Sequence, residues 1–311
     1  MMLLYTRKGR KISSAIALLC LVSLLAGCGR HKPYVSKSTT IRDNTPICLV
    51  PSADGLIKYE NAYVTLDASN TNEGYIMVSY TGANSKVKLQ VTGPDYMTYT
   101  YDLVGHDYEV FPLSAGSGYY KIGVYENVQE NQYATIFSED FTIEITDSLT
   151  AFLYPNQYVK FDSSSQVVAI AKDIVAEAHD DLEAISFVYN YVVDNITYDF
   201  EKAASVESGY IPNVDEILNS KTGICLDYAA VMTSMLRSQH IPTRLEVGYA
   251  GEAYHAWIST YVENQGWVNG VIEFNGDTWS LMDPTFAASA KESNLANFIG
   301  DGENYVTKYI Y

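Results

Sequence analysis

The chain has 311 residues, of which 47% are hydrophobic and 18% are charged, so it can bury a core in two domains or in one domain plus processing segments. Its formal net charge of −17 repels nucleic acid, and we therefore exclude DNA and RNA as partners. Tyrosine occurs 27 times, which favours β-structure with aromatic side chains on half-exposed faces.

The N-terminus has the pattern of a secretory signal. Basic residues at 7–11 precede the apolar run AIALLCLVSLLAG, which is shorter than the roughly 20 apolar residues that a membrane span needs. The run ends in Leu-Ala-Gly-Cys28, which resembles a bacterial lipobox, where the signal is cut before a cysteine that then carries diacylglycerol. We predict a signal peptide at 1–27, lipidation of Cys28, a flexible linker through residue 46, and a bacterial cell-membrane location facing outside the cytoplasm. The alternative is an ordinary signal peptide with a chance cysteine.

Two cysteines remain after this processing, because Cys20 leaves with the signal and Cys28 carries the lipid. The remaining pair, Cys48 and Cys225, is either free or joined in a disulfide that would silence Cys225. We interpret Cys48 as a core or edge residue and keep the disulfide as the alternative.

Residues 47–147 alternate apolar and polar side chains between turn residues spaced about ten apart, which is typical of short strands. This pattern predicts an antiparallel β-sandwich of immunoglobulin-like architecture, without the Cys–Trp–Cys core of true immunoglobulin domains. Its role is either that of a spacer or that of a module that binds wall polymer or substrate. The seven candidate strands are AYVTLDAS, GYIMVSYTG, KVKLQVTGP, MTYTYDLVG, DYEVFPLSAG, GYYKIGVYEN and FTIEITD.

Residues 148–311 have a different pattern, with helical spacing first and strands afterwards, which predicts an α+β domain. Helices are predicted over 162–179, with Ser163 and Gln166 placed as a capping box, over 180–196 and around 214–219. A further helix begins at Cys225. The strands predicted after it are TRLEVGYA, YHAWISTYV, GVIEFNG and TWSLMDPT, with Asn275-Gly276 as a hairpin turn.

Three residue types that thiol catalysis needs occur in order along this domain. Cys225 opens a helix, whose unpaired N–H groups and positive dipole end stabilise a thiolate. His255 lies in a strand and can take the thiol proton, while Asp283 at the end of the next predicted strand but one can orient the imidazole. Such contact requires that the two strands pair and that both side chains share a face.

The motifs TGICLDYA, HIPTRLEVGY, HAW and WSLMDPT together resemble the transglutaminase-like superfamily, whose core is papain-like. The resemblance covers about residues 164–286. It implies that Cys225 is the nucleophile, His255 the base and acid, and Asp283 the orienting carboxylate. The segment GWVNGVIEF is longer than in the shortest members of the family, which leaves the strand order open.

The backbone N–H of Cys225 is a natural oxyanion donor, and the Tyr198 phenol is a candidate for the second one because family members often carry tyrosine at that place. The alternative for Tyr198 is a core residue with a satisfied hydroxyl. Trp257 is interpreted as packing, and Trp267 and Trp279 as hairpin aromatics that line a cleft or stabilise a sheet. No metal-ligand spacing, calcium loop or nucleotide motif occurs, so we predict no metal and no cofactor.

These residues predict acyl transfer from amide or peptide carbonyl groups. The expected substrate, and the expected partner, is a protein or a peptide. Hydrolysis, by a cysteine protease or deamidase, is favoured over cross-linking, because water outcompetes most amines unless a site excludes it. The alternative is a catalytically inactive scaffold, or a lipoprotein that binds cell wall or protein through its β-domain.

Overall fold

Strands predominate between residues 58 and 143, and the α-helices begin at residue 166. The computed structural model describes residues 36, 38–263, 265–269, 271–274, 279–282 and 305–311. The predicted signal peptide and Cys28 lie outside these residues. Within the described part of the chain, no helix combines the length and the apolar character that crossing a membrane requires.

The N-terminal strands form two antiparallel four-stranded sheets, ordered β1-β2-β3-β6 and β5-β4-β7-β8. All seven predicted strands are confirmed, and the short β1 was not predicted because only the middle one of its three residues is even partly buried. The strands are β1 Lys58–Glu60, β2 Val64–Asp67, β3 Tyr75–Tyr80, β4 Val87–Thr92, β5 Thr98–Asp102, β6 Glu109–Pro112, β7 Gly118–Gln129 and β8 Gln132–Ile143.

The last of these strands begins earlier than its sequence pattern predicts. β8 starts at Gln132, whereas the predicted strand starts at Phe141. Its first half is largely exposed, so no apolar alternation marks it, and it is defined instead by backbone pairing with β7 in one long hairpin.

The two sheets share one apolar core. In β4, Val87, Leu89 and Val91 are each at most 2% exposed, while Lys88 and Gln90 between them are partly exposed, so the alternation of apolar and polar residues gives this strand one buried face. Residues of the other sheet, including Leu66 and Ile76, belong to the same cluster. Burying each such side chain contributes about 1.5–3 kcal/mol, so the core holds the sheets together.

The helical part is built around one central helix. From Asp227 to Ser238 every residue of α5 is buried, because α1, α2, α4 and two strands of the C-terminal sheet pack around it. The predicted helices over 180–196 and around 214–219 are confirmed, whereas the short, polar α3 was not predicted. The helices are α1 Gln166–Ile174, α2 Asp181–Asn195, α3 Phe200–Ser205, α4 Val214–Ser220 and α5 Cys225–Ser238.

The capping box predicted for α1 is wrong. Ser165 is the N-cap residue, and its side chain makes no capping hydrogen bond. The carboxylate of Asp215 in α4 accepts instead from the N–H groups of Gln166 and Val167, both at 2.9 Å. A contact with another helix thus satisfies backbone N–H donors that a local capping box was expected to satisfy. At its other end, α1 stops at Ile174, whereas the predicted helix extends to His179.

The C-terminal strands form an antiparallel sheet ordered β13-β12-β11-β16, and β14 pairs with β15. Helices followed by antiparallel strands confirm the predicted α+β layout. The β14–β15 hairpin is confirmed, and its predicted Asn275-Gly276 turn lies outside the described residues. The remaining strands are β9 Thr197–Tyr198, β10 Thr222–Gly223, β11 Thr243–Ala250, β12 Ala253–Val262, β13 Gly266–Asn269, β14 Val271–Phe274, β15 Trp279–Met282 and β16 Tyr305–Ile310.

The segment before the sandwich contacts the helical part. Arg42 pairs with Asp181 at 2.7 Å and donates to the carbonyl of Gln239, while Asn44 donates to the carbonyl of Ala178 at 3.0 Å. This part of the predicted linker is therefore held by hydrogen bonds, in contrast to the flexible segment that its polar composition predicts.

The sandwich also contacts the C-terminal strand through tyrosines. The Tyr99 ring in β5 lies 5.5 Å from that of Tyr309 and 5.7 Å from that of Tyr311, and the Ile310 N–H donates to the Tyr99 hydroxyl at 3.3 Å. Strands far apart in sequence thus meet in one aromatic cluster. The division of the chain between residues 147 and 148 stays a prediction.

Candidate functional site

Cys225 is the first residue of α5, as the sequence predicted. Ile224 before it is the N-cap residue in an extended conformation, and the Cys225 side chain is partly exposed. The first turn of a helix has backbone N–H groups without intrahelical partners, and these favour negative charge. The Cys225 side chain thus lies at the N-terminal end of a helix and is partly accessible to solvent.

The disulfide alternative is ruled out, since both Cys48 and Cys225 are free. Cys48 is partly buried and packs against the apolar core, which confirms its interpretation as a core or edge residue. Desolvation, followed by the charge of Asp162, raises the pKa of the Cys48 thiol.

His255 lies in β12, against which α5 packs. It is 6% exposed and pairs across the sheet with Gly248 of β11. A side chain at Gly248 would collide with the backbone of β16, since an added Cβ would lie 2.1 Å from the Val306 carbonyl oxygen. Gly248 thus permits the close approach of β16 to β11.

Asp283 lies outside the described residues. The strand before it, β15, pairs with β14, with Phe274 opposite Trp279. Because β13 forms a strand of its own, Asp283 follows the third strand after β12, and not the second as the sequence suggested. The structure thus brings the cysteine helix and the histidine strand together and leaves the third member of the predicted triad undescribed.

Tyr198 lies beside the start of α5. β9 and β10 pair in parallel, with Tyr198 opposite Gly223, and the Asp199 N–H donates to the Gly223 carbonyl at 2.9 Å. The Tyr198 ring is half-buried and contacts Phe200 edge-on at 4.9 Å. The candidate oxyanion donor is thereby fixed next to the residues that precede Cys225.

Exposed aromatic side chains near the histidine were not predicted. Tyr254 is 60% exposed, and its ring packs edge-on at 5.5 Å against that of Tyr249 on the neighbouring strand. Desolvation raises the pKa of the Tyr254 phenol, and the electrostatic influence of Cys225 acts in the same direction. The one feature of the sequence that could have indicated an aromatic side chain at this site is the position of Tyr254 directly before His255.

A buried polar cluster at the start of α5 was also not predicted. The Asp227 side chain is fully buried and accepts from the Ile224 N–H at 2.9 Å, from the Tyr210 hydroxyl at 2.7 Å and from the Lys202 ammonium at 2.5 Å. The ammonium also donates to the Tyr210 hydroxyl at 2.7 Å. An acidic residue three positions after the N-cap is the sequence signal for this cluster, although its lysine partner lies in the unpredicted α3.

The tryptophans whose side chains are described have packing roles. Trp257 is 3% exposed, and its ring lies 4.9 Å from that of Tyr305, which confirms the interpretation. The Trp267 ring lies 3.7 Å below the guanidinium carbon of Arg244 and packs edge-on against Phe152 at 5.2 Å. Trp267 therefore stabilises the sheet. In the described part of the chain, no three or more His, Cys, Asp or Glu residues are grouped as metal ligands.

Residues 168–270 match the model of the transglutaminase-like superfamily core. The chain therefore carries a transglutaminase-like domain over these residues, which confirms the resemblance seen in its motifs. The matched span includes Cys225 and His255.

Among curated proteins, the kyphoscoliosis peptidase of Mus musculus is 24% identical over 160 residues, covering 45% of this chain and 22% of the relative. The Homo sapiens kyphoscoliosis peptidase is 25% identical over 161 residues, covering 46% and 22%. The uncharacterised protein YebA of Bacillus subtilis is 23% identical over 195 residues, covering 54% and 26%. The matches thus span about a quarter or less of these relatives.

Solved structures with similarity include a candidate cysteine protease from Cytophaga hutchinsonii, with a TM-score of 0.35, 13% identity and coverage of 74% of this chain and 69% of that one. Red sea bream transglutaminase has a TM-score of 0.29 and 14% identity, with coverage of 70% and 48%. At these TM-scores we draw no functional conclusion from the similarity.

Proposed function

We propose that the chain is a thiol-dependent acyl transferase that acts on amide or peptide carbonyls. The observation that carries the proposal is the partly exposed Cys225 at the first position of α5, with β12 and its buried His255 packed against that helix. The match of residues 168–270 to the transglutaminase-like core supports it.

In the proposed reaction the Cys225 thiolate attacks the carbonyl carbon, and His255 holds the proton taken from the thiol. The tetrahedral oxyanion is stabilised by the Cys225 N–H and the Tyr198 phenol. His255 then gives its proton to the departing amine, which leaves a thioester on Cys225. Asp283 orients the imidazole in this scheme.

We propose that water, and not an amine, resolves the thioester, so that the net reaction is hydrolysis by a peptidase or deamidase. The support is the exposure of the aromatic residues Tyr254 and Phe200, at 60% and 66%, which leaves this region open to solvent. The name peptidase carried by the mouse and human relatives agrees with this choice. Release of free amine without incorporation of a labelled primary amine is the expected result, and incorporation would instead mean cross-linking.

We further propose that the chain is a bacterial lipoprotein held at the outer side of the cell membrane through Cys28. The basic residues, apolar run and small residues of the first 28 positions support this proposal. Metabolic labelling with a fatty acid should mark the wild-type chain and not a Cys28→Ala variant. Equal labelling of the two would contradict the proposal.

For the sandwich we propose an immunoglobulin-like arrangement. Without β1, its sheet orders are β2-β3-β6 and β5-β4-β7-β8, which correspond to the A-B-E and C′-C-F-G sheets of such domains. An experimental structure of the full chain with a different connectivity between the sheets would contradict this assignment.

Thiol reactivity tests the proposed nucleophile. The full chain is treated with iodoacetamide from pH 4 to 9, and modification is followed by mass spectrometry of the peptide that contains Cys225. A thiolate paired with an imidazolium should react near pH 6, well below the ordinary thiol pKa of about 8.5, and His255→Ala should slow the reaction strongly. If Cys225 reacts only above about pH 8, the scaffold alternative is the better description.

A further inference from the structure

The polar cluster of Asp227, Lys202 and Tyr210 lies at the start of the helix that carries the proposed nucleophile. Asp227 follows Cys225 by two residues, and its carboxylate is completely removed from solvent. A buried negative charge so close to a thiol opposes formation of the thiolate, in conflict with the favourable helix N-terminus. This location therefore requires a compensating positive charge.

Lys202 supplies that charge from α3. Its ammonium lies 2.5 Å from Asp227 Oδ2, donates to the Tyr210 hydroxyl at 2.7 Å, and stands 4.2 Å above the centre of the Tyr210 ring. Desolvation lowers the pKa of Lys202, but the hydrogen bonds to Asp227 and Tyr210 outweigh it, so the pKa is raised. The ammonium thus stays charged at neutral pH and neutralises the carboxylate.

The Lys202–Asp227 ion pair also belongs to a set of hydrogen bonds that links the strand of Tyr198, the candidate oxyanion donor, to the start of α5. Asp199, directly after Tyr198, accepts from the Lys202 N–H at 2.8 Å and donates its own N–H to the Gly223 carbonyl at 2.9 Å. Lys202 then reaches Asp227, which accepts from the Ile224 N–H. The strand with Tyr198 and the first turn of α5 are thereby held in one fixed arrangement.

We infer that Lys202 is a positioning residue of the proposed acyl transferase: its ion pair with Asp227 keeps the Cys225 thiolate accessible near neutral pH and locks the Tyr198 strand to the nucleophile helix. This inference rests on the proposed function. It assigns to Lys202 no contact with substrate or with the reacting atoms.

The Asp199 carboxylate, which accepts from the Lys202 N–H, is retained in every variant of this test, and the phenols around the start of α5 do not compete with the effect. Burial raises the pKa of the Tyr210, Tyr228 and Tyr254 phenols above the ordinary value of about 10, so they are neutral between pH 4 and 9. Burial and the contact with Asp227 raise the pKa of Tyr210 to about 12 despite the opposing contact with Lys202. His255, the proposed proton acceptor, is retained in every variant of this test, so its contribution is common to all of them.

The test compares the pH profile of Cys225 alkylation by iodoacetamide in full-length variants. Lys202→Met leaves the carboxylate uncompensated, so the midpoint should move upward by about one pH unit. Lys202→Arg should keep the wild-type midpoint, since it keeps the charge. Lys172→Met removes the charge of an exposed lysine on α1 and should also leave the midpoint unchanged.

A double variant separates this role from a merely structural one. Lys202→Met combined with Asp227→Asn removes both charges and retains acceptors for the Ile224 N–H, so it should return the midpoint toward that of the wild type. Folding of each variant is checked by circular dichroism. If Lys202→Met shows no shift, or if the double variant reacts no better than the single one, the inference is overturned.

The two proposals fail in distinguishable ways. If wild-type Cys225 has no reactivity below about pH 8, the proposed function itself fails. If the wild type reacts near pH 6 and Lys202→Met follows the same profile, the function stands and only the role of Lys202 is rejected.

Discussion

Tyr198 and Gly223 are paired residues of two neighbouring parallel strands, and Gly223 precedes Cys225 by two positions. The pairing fixes the tyrosine to the start of α5, although the two residues are separated by a long stretch of sequence. This relationship makes Tyr198 a testable part of the site.

Substitution of Tyr198 by Phe should lower the rate of Cys225 acylation about 100-fold, because loss of one oxyanion donor typically has an effect of 10²–10³. The measurement is the release of nitrophenol from a 4-nitrophenyl ester by the full chain. Stability should change little, since the ring that packs against Phe200 is kept.

The matched control is Tyr228→Phe. The buried Tyr228 hydroxyl donates to the Ile196 carbonyl at 2.5 Å, so its loss should reduce the free energy of unfolding by about 1–2 kcal/mol and leave acylation nearly unchanged. If Tyr198→Phe behaves as this control does, Tyr198 is a core residue with a satisfied hydroxyl.

Substitution of Gly223 by Ala should displace the carboxylate that caps α5. An added Cβ would lie 2.7 Å from the Cβ of Asp227, which is closer than real contacts allow. We expect a loss of about 1–3 kcal/mol in the free energy of unfolding together with slower alkylation of Cys225.

Gly105→Ala is the control for this substitution, because the nearest atom to its added Cβ would be the Asp107 backbone nitrogen at 3.8 Å. Urea unfolding of both variants gives the comparison. Equal stability of the two would mean that the start of α5 tolerates a shift of Asp227.

The two free cysteines should differ in their pH dependence. Burial raises the pKa of Cys48, so at any given pH a smaller fraction of it is thiolate, and its alkylation should begin only at a higher pH than that of an ordinary thiol. Cys225 should react at a lower pH in the same sample. Peptide mass spectrometry resolves both sites, and overlapping profiles would remove the evidence for an activated Cys225.

Substitution of Tyr99 by Ala should destabilise the contact between the sandwich and β16. Tyr99 is 6% exposed and contacts two tyrosines near the end of the chain, so its truncation should lower the free energy of unfolding by about 3 kcal/mol or more. Hydrogen exchange should rise in residues 305–310.

Tyr96→Ala serves as the control, because Tyr96 is 91% exposed. It should leave both stability and exchange unchanged. If exchange in residues 305–310 responds to neither variant, the sandwich does not support the C-terminal sheet and the spacer interpretation gains weight.

Local patterns predicted the elements that bury one regular face. The alternation of apolar and polar residues around Leu89 predicted β4. The helical pattern after Cys225 predicted α5, with Cys225 as its first residue. The patterns failed where tertiary contacts decide the local structure. Asp215 caps α1 from another helix, and α3 is held by the pairing of Lys202 with a buried carboxylate.

The sequence predicted the elements in which Cys225 and His255 lie, and it missed the side chains that surround them. Cys225 and His255 follow from chemistry and motif, since a thiol at a helix start and a strand histidine are visible in the sequence. The support from Lys202 and Tyr210 is not visible, because it depends on side chains that meet Asp227 from a separate helix and a loop.

The most direct test of the central claim is detection of an acyl group on Cys225. The full chain is incubated with a 4-nitrophenyl ester at pH 7, quenched with acid and analysed by peptide mass spectrometry, with Cys48 as the internal reference. We predict rapid acylation at Cys225 that hydroxylamine reverses, and a rate about 100-fold lower in His255→Ala. Acylation of Cys225 no faster than that of Cys48, or unaffected by His255→Ala, would contradict the proposal.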